Sequence, residues 1–101
     1  MEVRTLELVI FRAVSGISDE DLIDKAFTLT PVLAAMPGFI KRDFAKGEDG
    51  EWIDAVIWDS YENAKAAAKA VWEVPEAQAF FSLINQETIN LRHATIQIPK
   101  T

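Results

Sequence analysis

Residues 3–12 alternate between two faces. Leu6, Leu8 and Ile10 fall on one, and Thr5, Glu7, Val9 and Phe11 on the other. A period of two predicts a strand. Ser15-Gly16-Ile17 breaks the alternation. Ser18, with Asp21 three residues on, then makes a capping box with Asp in place of Glu and opens a helix. Asp19, Glu20 and Asp21 stand in its first turn, where the helix dipole favours negative charge. Leu22, Ile23, Ala26, Phe27, Thr30 and Leu33 recur at helical spacing and predict one buried stripe. Pro31 is expected to kink or end the regular helix near Thr30, and Pro37-Gly38 to stop the segment.

Residues 39–46 predict a second strand. Its Lys41, Arg42, Asp43 and Lys46 suit a solvated sheet edge. Gly47-Glu48-Asp49-Gly50 reads as a hairpin loop. Residues 51–58 alternate again, with Ile53, Ala55 and Ile57 on one face and Trp52, Asp54, Val56 and Trp58 on the other. Asp59-Ser60 offers a cap for a second helix, with Ala64, Ala67, Ala68, Val71 and Trp72 as its buried stripe. Pro75 fits the first position of a short third helix, with Ala79, Phe80, Leu83 and Ile84 as its apolar side. Residues 88–98 predict the last strand, ended by Pro99.

The order β-α-β-β-α-β defines an α+β domain of the ferredoxin-like class. Right-handed crossovers give an antiparallel sheet of strand order 4-1-3-2, with the helices on one face. With 101 residues the chain is read as a single domain, 1–101. Both sheet faces are apolar. Leu6, Leu8, Ile10, Ile53, Ala55, Ile57 and then Ala94, Ile96 and Ile98 make a purely aliphatic layer, expected to lie under the helices. The opposite face holds Val9, Phe11, Trp52, Val56, Trp58 and Leu91, mixed with Glu7, Asp54, His93 and Thr95. Left open, such a face exceeds the apolar patches that monomers show. A second copy packed sheet to sheet would close it into a barrel with a partly polar interior.

Pro37-Gly38-Phe39 before the second strand, and Val56-Ile57-Trp58-Asp59-Ser60-Tyr61-Glu62-Asn63-Ala64 from the third strand into the helix, carry a resemblance. The chain resembles the dimeric α+β barrel superfamily, in particular its antibiotic-biosynthesis-monooxygenase-like domains. The resemblance covers nearly the whole element order. It implies a homodimer that binds a small molecule, and a superfamily that includes cofactor-independent oxygenases, haem-degrading enzymes, cyclases, isomerases and members of no known activity. Haem degradation is rejected. The resemblance expects an Asn on the first strand, and there is none; Ala67 stands where a Trp is expected, and Phe81 where a His is expected. Trp72 is out of register.

His93 is the only histidine, and imidazole titrates near neutral pH. Glu7 and Asp54 share its parity. The three are read as an acid/base set, with Glu7 and His93 as the pair and Asp54 tuning them. Phe11, Trp52, Val56, Trp58 and Leu91 are read as the pocket lining. Such a base would deprotonate an aromatic hydroxyl, whose electron-rich anion would react with oxygen without metal or flavin, or it would move a proton in an isomerisation or cyclisation. The alternative is a non-catalytic ligand-binding or accessory dimer in which Glu7–His93 is a cross-strand pair and the tryptophans are interface core. Catalysis predicts an enclosed cavity of roughly 300 Å³ or more with His93 pointing into it. Mere glue predicts interdigitated tryptophans and no void.

Composition narrows the classes further. No cysteine means no disulfide, zinc knuckle or iron–sulfur cluster, and one His leaves little for a metal site. Neither a cofactor nor a phosphate-binding glycine loop is expected. A net charge of −6 argues against nucleic acid. No run approaches a membrane span, and Met1-Glu2-Val3-Arg4 lacks the layout of a signal peptide, so a cytoplasmic location is expected.

Overall fold

Four strands pair antiparallel in the order β2-β3-β1-β4, the order read from the sequence in reverse direction. The computed structural model describes residues 3–98, so Met1, Glu2 and the stop expected at Pro99 lie outside the described residues. The strands are β1 (Thr5–Phe11), β2 (Phe39–Lys46), β3 (Trp52–Trp58) and β4 (Asn90–Thr95). β4 is shorter than expected at both ends. A 3₁₀ turn at Gln86–Thr88 takes the front, and Ile96 and Ile98 lie beyond the last strand residue.

α1 runs Asp19–Ala34 with Pro31 inside it, so the helix does not end near Thr30, one of the two outcomes expected of that proline. Its Ser18 cap does form, with Oγ accepting from Asp21 N–H at 3.1 Å. The buried stripe is Leu22, Ala26, Leu29 and Leu33. Ile23 and Phe27, expected inside, point outward, and Phe27 is 75 % exposed. α2 spans Tyr61–Ala70, capped by Ser60, whose Oγ accepts from Asn63 N–H at 3.1 Å. Ala64 and Ala67 carry only methyl groups, so the helix lies close on β1 and β3. One 3₁₀ turn, Val71–Glu73, leads into α3 (Pro75–Phe81), which buries Ala77 and Phe80. Val14 N–H to Leu83 C=O and Asn85 N–H to Arg12 C=O, both 2.9 Å, tie the end of α3 to the end of β1.

The helices cover the opposite sheet face from the one expected. Phe11, Trp52, Val56 and Trp58 are buried beneath them, whereas Leu6, Leu8, Ile10, Ile53, Ala55 and Ile57 lie half-buried on the open face. The physical reason is area: aromatic rings remove far more apolar surface from water than Leu, Ile and Ala of the other face. The charged and imidazole groups of the covered face do not prevent this, because Glu7, His93 and Asp54 find partners there. A bulge between Phe39 and Lys41 in β2 assists. The extra residue turns Phe39 to the helix side, where its ring meets Trp58 edge-on at 5.8 Å.

Candidate functional site

The register fixes which polar residues meet on the covered face. Glu7 lies opposite His93 on β4 and opposite Val56 on β3. Asp54 lies opposite Phe44 on β2, so Arg42, two residues away, is its diagonal neighbour. Two pairs result. His93 Nε2 lies 2.9 Å from Glu7 Oε2. Trp58 Nε1–H donates to the other carboxylate oxygen at 3.4 Å. The expected Glu7–His93 contact is therefore present, on the helix side of the sheet.

Asp54 does not tune that pair. Both its oxygens are taken by Arg42, whose Nε and Nη2 donate at 2.9 and 2.7 Å. Arg42 Nη1 donates to the Ala26 carbonyl and to Thr30 Oγ1 of α1. Its side chain is 2 % exposed. Arg42 is thus no solvated edge charge, although β2 is an edge strand: the guanidinium reaches in under α1, between the rings of Phe44 and Phe80. Bidentate pairing and two more acceptors satisfy a charge that would otherwise be costly to bury.

A cavity of about 140 Å³ lies between the sheet and the helices. Phe11, Val56 and Leu91 line it, and so do Glu7 and Asp54. Val9, Leu29, Val71 and Phe80 add apolar wall. Trp52, Trp58 and His93 do not line it. Trp58 is fully buried against Phe39, Trp52 stacks on Phe44 at 5.3 Å, and His93 stands behind Glu7. The expected place between two facing sheets is corrected, because the residues concerned face the helices. The volume is about half of what was expected. Trp72, Phe81 and Ile89 line the cavity without having been assigned to it. Trp72 could have been found from its position, just past the last buried alanine turn of α2. An open groove of about 400 Å³ lies on the other side of Arg42, between α1 and β2. Among the described residues no cluster of three or more His, Asp or Glu is placed to hold a metal.

No family model and no curated protein sequence matches this chain. Solved structures do. SnoaB, a cofactor-independent oxygenase from Streptomyces nogalater, is 14 % identical with a TM-score of 0.68, over 100 % of this chain and 97 % of its own. A proposed antibiotic biosynthesis monooxygenase from Bordetella bronchiseptica is 11 % identical with a TM-score of 0.80, over 97 % of this chain and 100 % of its own. NE2512, a protein of unknown function from Nitrosomonas europaea, is 14 % identical with a TM-score of 0.76, over 99 % and 95 %. The chain shares its ferredoxin-like fold with these antibiotic-biosynthesis-monooxygenase-like proteins. No helix among the described residues is long and apolar enough to cross a membrane.

Proposed function

We propose that two copies of the chain pair through their open aliphatic sheet faces, and that each binds a small, uncharged, largely apolar molecule under its own helices. Glu7 takes a proton from that molecule. The observation that carries this reading is a carboxylate on the wall of an apolar cavity, held from behind by His93 and Trp58. A base in a site from which the ligand displaces water is well placed for proton abstraction. Two acidic side chains on the wall and a net charge of −6 disfavour anionic ligands.

The volume limits the ligand. An engineered apolar cavity of about 150 Å³ takes up benzene, so about 140 Å³ suits one ring. An electron-rich phenol is the class that fits. Its anion reacts with oxygen at the ring carbon para to the hydroxyl. The O–H and that C–H give up two hydrogens, one oxygen atom bonds to the carbon, and the other leaves as water. The product is a quinone. SnoaB supplies a precedent for cofactor-free oxygenation on this fold, although fold alone does not carry function. The small volume favours one second reading, a dimer that binds its ligand without turning it over.

Calorimetric titration with phenol, and oxygen uptake with single-ring di- and trihydroxyarenes in the presence of a chelator, test the reading. Binding, and uptake that Glu7→Gln abolishes, are expected. Binding with no uptake leaves the non-catalytic reading. No binding overturns both.

A further inference from the structure

We infer that Trp72 sets the size of the molecule admitted to the cavity; this rests on the reading of that cavity as a ligand site. The wall residues differ sharply in exposure. Phe11, Phe80 and Val56 are buried, whereas Trp72 is 56 % and Leu91 51 % exposed. The cavity therefore opens toward the side where the turn after α2 faces the start of β4. Leu91 belongs to a strand paired along its length with β1. Trp72 does not share that rigidity. It sits in the short 3₁₀ turn Val71–Glu73, which joins two helices and has no side-chain cap bond at its start. Such turns have poorer hydrogen-bond geometry than an α-helix.

The indole leans on the Phe81 ring, with centroids 4.6 Å apart and planes tilted by 46°. Its backbone carbonyl accepts from Gln78 Nε2 at 3.0 Å, which anchors the turn rather than the ring. The indole is thus the bulkiest movable group at the mouth, and it borders the space on which ligand length depends. While it leans on Phe81, the space admits one ring. A second fused ring must displace it.

The test compares phenol and 2-naphthol by calorimetric titration of the intact chain and of Trp72→Ala. In the wild type, 2-naphthol is expected to bind about tenfold or more weaker than phenol. In Trp72→Ala its affinity should rise about tenfold, while that of phenol stays within about threefold. Trp72→Leu should lie between them, and it serves as the readout if the alanine variant does not fold. An unchanged ratio of the two affinities in these variants overturns the inference, as does 2-naphthol binding the wild type as tightly as phenol. Glu7→Gln separates the two proposals. If it leaves oxygen uptake unchanged while Trp72→Ala shifts the ratio, the filter stands and the base falls. If neither compound binds the wild type or the variants, both fall.

Discussion

Arg42 and Asp54 meet side by side across the β2–β3 pair, with Nε donating to Oδ1 at 2.9 Å and Nη2 to Oδ2 at 2.7 Å. The pair forms part of the partition between the inner cavity, which Asp54 lines, and the outer groove, which Arg42 lines. Removing one partner leaves a buried charge alone. Asp54→Ala is expected to cost about 3–5 kcal/mol in urea unfolding. The double change Arg42→Met, Asp54→Leu should recover most of that loss, because no charge is then stranded. A double variant as unstable as the single one would mean that the pair also positions the backbone.

Gly38 has φ of +86°, and a Cβ there would collide with Asp59 Oδ1. That oxygen accepts from Asn63 Nδ2 at 2.7 Å in the first turn of α2. Gly38→Ala is expected to cost about 1–3 kcal/mol for the backbone alone, with a further loss from the crowded oxygen. Adding Asp59→Ala should return only the crowding part. Thermal unfolding that does not separate Gly38→Ala from wild type would refute the account.

His93 bonds Glu7 but does not line the cavity. His93→Ala removes a donor to Glu7 and leaves the one from Trp58, and it is expected to cost about 1 kcal/mol. A loss beyond about 3 kcal/mol in denaturant titration would assign the ring to the core instead.

Leu8 and Ala55 face one another at the centre of the open sheet face. Leu8→Arg is expected to convert a dimer to a monomer with unchanged circular dichroism, because a second positive charge opposite Arg92 would be buried without a partner. Light scattering decides it. A wild type that already runs as a monomer removes the dimer from the proposal.

Phe27 is the counterexample to its own helical spacing. Phe27→Ser should change stability by no more than about 0.5 kcal/mol. A cost near 2 kcal/mol would show that something covers this ring in solution.

The elements were legible because their signals are local. Ser18 and Ser60 cap where their spacing to Asp21 and Asn63 says they should. The glycine hairpin ends β2 as expected, since Gly50 adopts a positive φ. Pro31 misled because a proline removes one backbone donor, and a sixteen-residue helix packed on the sheet tolerates that loss. Phe27 misled because a stripe read at spacings of three and four is wider than the surface the helix covers. The place of Leu29 in the core follows from where α1 crosses the sheet.

The sequence by itself determined the strands, the helices, their order and the parity that puts Glu7, Asp54 and His93 on one sheet face. Alternation decides which side chains share a face, since it is a property of the backbone. It does not decide which face is covered when both are apolar. That choice was made by the helices, which together bury the face of greater area once Glu7 and Asp54 have partners. The pairing of Asp54 with Arg42, and the partition it forms, exist only after the strand register and the position of α1 bring distant residues within bonding distance.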